Sequence, residues 1–432
     1  MRRTSMRTLF IFLAILPSIA TIHAQAQAQD GDVGTSAGQA GSAGSRGAHR
    51  ITAGSDGLHF STADGADTLH VHGYLQADDR MFSSNLRGEG LDVFLFRRIR
   101  PLFEGTVFRT VDFRFMPDFG QNNPQIQEAF LEWRRFPAAK LRVGKFKEPI
   151  GLEILQQDRQ LVFAERSMAS DLLPLRYMGA QVGGSVFSNH IEYAAGYFNG
   201  SNDGSNGNFE WLQANEAAAR LFLHPFAASR REAIRGFGIG MAGSDGHQHG
   251  PIAGLKTVGQ NTFFKYASTA TANGQHYRIA PQADYYAGPL GLTSEYVISL
   301  QDVRDQTTST TVTNAAWQIS GSILLTGEKN SYDGAIPRNT FEPARGLRHM
   351  GAVELALRRS QARIDRDAFP LLANPANSAQ QAAELGIGMN WILNRFVKLT
   401  ADYERTGFRM AQSNLAALPS EKVLMSRVQL TF

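Results

Sequence analysis

Apolar and polar residues alternate along most of this chain. Val111, Phe113 and Phe115 fall on one parity against Asp112 and Arg114, and Leu141 and Val143 oppose Arg142. Ile191, Tyr193, Ala195 and Tyr197 oppose Glu192, Ala194 and Gly196, and Trp317, Ile319, Gly321, Ile323 and Leu325 oppose Gln318, Ser320 and Ser322. A period of two sends successive side chains to opposite faces, so each run predicts a β-strand with one apolar and one polar face. The chain ends on such a run, LMSRVQLTF, with Leu424, Val428, Leu430 and Phe432 on one parity and Arg427, Gln429 and Thr431 on the other. In water an apolar edge strand without a blunting tail templates aggregation. Closure of the sheet into a membrane barrel removes both edges and gives the apolar parity its solvent. The strand around Leu69 to Ala77 is the expected partner of Leu424 to Phe432.

Turn residues divide the connections into two kinds. Phe136-Pro137-Ala138-Ala139, Ser188-Asn189, Gly288-Pro289-Leu290 and Asn394-Arg395 predict tight links. Longer connections are expected over 83–91, 118–124, 148–177, 200–212, 243–274, 302–311, 361–380 and 409–420. Such alternation fits a barrel with one rim toward the periplasm and the other outside, and the strands laid between number about 16. The fold class read from this pattern is all-β, a transmembrane antiparallel β-barrel. A soluble sandwich would share one apolar face between two sheets and end well short of this length.

The N-terminus changes the picture of the compartment. MRRTSMR is basic, Thr8 to Ile22 is apolar but interrupted by Pro17, and Ala24 and Ala26 offer small-residue cleavage. This is the layout of a secretory signal peptide over residues 1–24, with an N-terminal membrane anchor as the alternative. Residues 25–57, rich in Gly, Ala, Ser and Gln, predict a flexible low-complexity lead-in, and 58–432 the outer-membrane barrel. No later stretch approaches the roughly 20 apolar residues of a membrane helix. Loss of the signal removes Arg2, Arg3 and Arg7, so 43 basic residues become 40 against 39 acidic ones, and the formal charge of +4 falls to +1. That balance gives no case for nucleic acid. The absence of cysteine excludes thiolate metal sites and disulfides and suits export.

The stretch Leu141 to Ser167, LRVGKFKEPIGLEILQQDRQLVFAERS, resembles the family of phosphate-selective porins O and P. So do, in order, Arg97-Arg98-Ile99-Arg100, EAFLEW, YYAGPLGLTSEY, Leu325-Thr326-Gly327-Glu328, GAVELALRRS, GIGMNWILN and RVQLTF. The resemblance spans nearly the whole barrel. It implies a homotrimeric porin of about 16 strands with an inward-folded constriction loop, set in the lipid of a bacterial outer membrane. It implies passive diffusion of small hydrophilic solutes with a preference for small inorganic anions, phosphate or polyphosphate among them. A general or cation-preferring pore, and a non-channel adhesion or enzyme barrel, stand as alternatives.

Segment 148–177 is the candidate constriction. Its Leu152, Ile154, Leu155 and Phe163 must pack somewhere, and the inside of the barrel wall would meet that need. A cation in a narrow, poorly screened pore concentrates anions, so the candidate anion contacts are Lys145, Lys147, Arg159, Arg166 and Arg176 in and beside this segment. Arg98, Arg100, Arg114 and Arg142 join them on the lumenal parity. That parity mixes signs, since Glu104, Asp112, Glu128, Glu132, Glu192, Asp284, Glu295 and Glu354 share it with the arginines. Opposed charges across a lumen can also set its shape and field without choosing an ion. Two histidine pairs, His70 with His72 and His247 with His249, have chelating spacing, but no third ligand is adjacent in sequence, and no metal or cofactor is expected. Catalysis is not expected either: there is no GxSxG elbow between a strand and a helix, no HExxH and no glycine-rich phosphate loop following a strand and opening a helix, and Ser294 and Ser426 have no histidine placed to serve as base.

Overall fold

The computed structural model describes residues 49–432, except 55–56, 85, 87–91, 201–202, 204–205, 207–213, 307, 347 and 413. The signal peptide 1–24 and most of the lead-in 25–57 lie outside the described residues. A hairpin opens the described chain, β1 Arg50–Gly54 and β2 Gly57–Ser61. Then come β3 Thr68–Ser84, β4 Val93–Val107, β5 Val111–Asp118, β6 Gln125–Phe136, β7 Ala139–Lys147, β8 Arg176–Val186, β9 Ile191–Phe198, β10 Asn215–Leu223 and β11 Phe237–Pro251. After the short pair β12 Leu255–Lys256 and β13 Thr262–Phe264 follow β14 Thr271–Ala287, β15 Leu290–Asp305, β16 Thr308–Leu324, β17 Ala352–Arg363, β18 Ala379–Ile392, β19 Val397–Met410 and β20 Glu421–Thr431.

Every barrel strand pairs antiparallel with its neighbour in the sequence, and β20 returns to β3. The 18-stranded sheet is thus a closed barrel of 16 strands plus the hairpin β1–β2. Closure sets Leu75 opposite Leu430 and Ala77 opposite Val428, with Gln76 Nε2 donating to Gln429 Oε1 at 2.7 Å. The expected partner strand needs one correction. Phe432 exchanges backbone bonds with Gly73, and below that point Thr68–Val71 pair with β2 instead of the terminal strand. The last residues of the expected lead-in are therefore part of the sheet. Gly57 (φ +110°) makes this docking feasible, because a Cβ there would meet the Val71 carbonyl oxygen at 2.2 Å.

The predicted tight links all form, but two connections differ from expectation. Residues 302–311 are not a long loop: β15 runs to Asp305 and β16 starts at Thr308, with Thr311 Oγ1 donating to Asp302 at 2.6 Å. Their run of threonines is β-branched and extends the strands. Conversely, the longest connection on the tight-link rim is 325–351, between β16 and β17.

The wall is inverted relative to a soluble protein. Phe94, Leu131 and Leu357 are 75, 56 and 56% exposed on its outer face, whereas Arg98, Arg358 and Glu384 are 3, 1 and 0% exposed inside. This suits lipid outside and a polar lumen within. One sector of the inner face is apolar, however, built from Ala242, Ala280, Val297, Val303, Val312, Ala316, Ala362 and Ala382. Small side chains there leave room for chain to pack inside the barrel.

Candidate functional site

Segment 148–175 occupies that room. Ile150, Ile154, Met168, Ala169, Leu172 and Leu173 pack on the apolar sector of β11 and β14–β18. Gly151 (φ +87°) turns the chain there, where a Cβ would lie 2.6 Å from Leu173 Cδ1. The single helical turn Leu152–Leu155 follows, its first N–H donating to Glu295 Oε1 at 2.5 Å. The opposite side of the segment is held by strands from the other part of the wall. Ala164 N donates to Asp402 Oδ2 at 2.6 Å, Asn390 Nδ2 to the Val162 carbonyl at 2.7 Å, and Lys398 Nζ to the carbonyls of Leu161 and Arg159 at 2.9 and 3.1 Å. A segment bonded to the lumenal residues of β15, β18 and β19 runs inside the wall.

Two loop carboxylates carry most of its electrostatic attachment. Asp158 pairs with Arg100 and Arg166, and has Arg98 and Arg176 at 3.4 and 3.7 Å. Glu165 pairs with Arg97 at 2.5 Å, Arg80 at 3.0 Å and Arg427 at 3.4 Å. Burial alone would raise both acids. The guanidiniums outweigh it, those of Arg166, Arg98 and Arg100 for Asp158 and those of Arg97, Arg98 and Arg80 for Glu165, and hold both well below the ordinary carboxylate range. Arg358 adds a third contact, donating to the Glu165 carbonyl at 2.8 Å while pairing with Glu384 and Glu404.

Strict alternation would point Arg97 at lipid. The register between β3 and β4 slips there, with Gln76 opposite Arg98 and Ala77 opposite Phe96. This bulge brings Arg97 as well as Arg98 to the lumen. The signal was present in the sequence, because two consecutive arginines in a membrane strand force one charge into lipid unless the strand bulges.

The nine candidate anion contacts separate into groups. Arg98, Arg100, Arg166 and Arg176 are taken up by Asp158. Lys147 donates to the Gln156 and Leu155 carbonyls at 2.7 and 3.3 Å, and Lys145 to that of Asn206 at 3.3 Å. Arg159 donates only to Gln157 Oε1, at 2.9 Å, and forms no ion pair among the described residues. Arg114 and Arg142 stand on the wall, about a third exposed. Arg114 lies 2.7 and 3.2 Å from Glu104 and Glu128, and Arg142 lies 2.6 Å from Glu132 and stacks 4.5 Å over Phe130.

Arg114, Arg142 and Lys147 line one lumenal recess of about 420 Å³ together with Lys140 and Arg220. The acids lining it are Glu128 and Glu192, so five cations face two carboxylates. Arg220 lies on the lumenal parity of β10, 4.5 Å over the ring of Phe222. Lys140 shares the lumenal parity of Arg142, two residues on, opposite Leu141 and Val143.

The family described as phosphate-selective porin O and P matches residues 69–432. No curated protein matches the chain by sequence. Among solved structures, the outer-membrane channel DcaP of Acinetobacter baumannii is similar at 9% identity and TM-score 0.56, over 86% of this chain and 99% of that one. An anion-selective porin from Comamonas acidovorans is similar at 9% identity and TM-score 0.52, over 85% of this chain and 100% of that one. In-vitro folded OmpT of Vibrio cholerae in its trimer form is similar at 10% identity and TM-score 0.53, over 85% and 100%. These likenesses concern the fold.

Proposed function

We propose that this chain, which belongs to the phosphate-selective porin O and P family, passes small anions in preference to cations through its bacterial outer-membrane channel. The observation that carries this reading is the recess lined by Arg114, Lys140, Arg142, Lys147 and Arg220 together with two carboxylates, Glu128 and Glu192. In a confined lumen an excess of fixed positive charge raises the local anion concentration, while several moderate contacts let the ion leave again. Arg159 is the loop cation left to meet a passing ion, and the other loop charges hold the constriction in place. Inorganic phosphate is the solute the family's description suggests. The anion-selective relative and the trimeric one are consistent with the preference and with a homotrimer. In this reading residues 1–24 direct export and are removed.

Reversal potential across a planar bilayer in a salt gradient tests the preference. Wild type is expected to select anions, and Arg114→Gln with Arg142→Gln to lower the anion-to-cation permeability ratio by about threefold. A second reading rests on the pairing of each wall arginine: Glu104, Glu128 and Glu132 offset much of the charge of Arg114 and Arg142. If the double variant keeps wild-type selectivity, the lumen is a general sieve. Phosphate would then block chloride current no better than sulfate does.

A further inference from the structure

The barrel brings three metal-ligating side chains from β3 and β4 together and sets a histidine of β2 beside them. His59 stands on β2, His70 and His72 on β3 and Glu104 on β4, at the rim of the tight links. Register places them together, since His59 lies opposite His70 across β2–β3 and Glu104 opposite His70 across β3–β4. His70 and His72, two apart, share the lumenal face with Gln76 and Arg80. The ligand atoms of His70, His72 and Glu104 all lie within 4.8 Å of one another, and His72 Nε2 is 3.0 Å from Glu104 Oε1. The rings of His59 and His70 are stacked at 3.7 Å between centroids, and those of His70 and His72 at 4.4 Å.

We propose that His70, His72 and Glu104, with His59 stacked beside them, bind one divalent transition-metal cation of the zinc class at this mouth of the pore. Donors sharing a tetrahedral zinc at about 2.0–2.1 Å sit roughly 3.4 Å apart, so side-chain rotation closes the group around an ion with the strands in place. Imidazole with a single carboxylate favours zinc-like ions over magnesium or calcium, which take oxygen donors. Arg114 donates to the other carboxylate oxygen, Glu104 Oε2, at 2.7 Å and so orients the acid with Oε1 toward the histidines. The ion would tie the β1–β2 hairpin to the barrel wall and add positive charge beside the cationic recess.

The test is calorimetric titration of the untagged, chelator-stripped barrel in detergent with zinc chloride at about pH 7.5. One ion per chain is expected. His70→Asn with His72→Asn should weaken uptake by at least about tenfold, His247→Asn with His249→Asn should leave it unchanged, and magnesium should not compete. Heat-modifiable gel mobility reports whether each variant folds. Should the His70/His72 variant fail to assemble, His59→Asn, in the hairpin outside the closed barrel, is expected to weaken binding in its place. No heat of binding in wild type at submillimolar zinc, unchanged uptake in the folded His70/His72 or His59 variant, or loss on replacing His247 and His249 would each overturn the proposal.

Discussion

Asp158 and Glu165 gather guanidiniums from five elements of the wall and the loop, and each is buried. Removing one partner of a buried ion pair strands the other and costs about 3–5 kcal/mol. Asp158→Asn is therefore expected to loosen the loop, read as faster proteolytic nicking within 148–175 and as noisier single-channel current. The pH dependence follows from the depressed acids. Their stabilisation is complete above the ordinary carboxylate values of 3.8 and 4.5 and is lost only as pH falls through their lower folded values. Protection of the loop should thus stay constant from neutral pH down to about 5 and decline only in stronger acid. Asp171 has the opposite sign. Burial pushes it up to about 7, so its contribution is full below 3.8 and is lost as pH rises toward 7. Asp171→Asn should raise the melting temperature at alkaline pH, progressively less as pH falls from about 7 toward 4, and leave it unchanged only below that, with the bond from Lys256 N retained by the amide oxygen.

At the scale of elements, the closing strand pair is the most exposed to direct test. Cysteines at Ala77 and Val428, which face each other on the outer wall, should crosslink on oxidation in membranes, whereas Ala77 with Leu430, out of register, should not. Deleting β20 would leave two raw edges in lipid and is expected to abolish assembly. The long connection 325–351 touches the constriction from the tight-link side. Tyr332 Oη donates to the Leu152 carbonyl at 2.6 Å, and Gln156 Nε2 to the Tyr332 carbonyl at 2.7 Å. Tyr332→Phe removes the first of these bonds at a cost of about 1 kcal/mol and should increase current noise less than Asp158→Asn does.

For the whole molecule, the proposed function rests on a division of labour between loop and wall. The loop contributes carboxylates that bind the wall's arginines, and the cations left facing water lie mostly on β5, β7 and β10. Neutralising Arg159 alone should then alter conductance without changing the assembled barrel, whereas neutralising Arg166, which donates to the Glu153 and Gln156 carbonyls as well as to Asp158, should disturb the loop itself. A homotrimer is the expected assembly, and light scattering of the detergent complex corrected for bound detergent should return three copies.

Alternation along Val111–Phe115, Trp317–Leu325 and Leu424–Phe432 by itself determined the strand class, the inner and outer faces and the closure of the barrel, because a period of two is a property of neighbouring residues. The tight links were equally legible, since proline, glycine and asparagine act locally. Tertiary structure decided the rest. Arg97 faces the lumen through a slip in register, the inner face turns apolar where the loop packs, and Arg100 meets Asp158 at a separation of 58 residues and Arg427 meets Glu165 at 262. Which charge pairs with which depends on strand register and on the loop's path across the lumen. Both are set by contacts between distant parts of the chain, so Arg98, Arg100, Arg166 and Arg176, which sequence presents singly, all meet at Asp158. His59 and Glu104 likewise reached His70 and His72 only through the registers of β2–β3 and β3–β4.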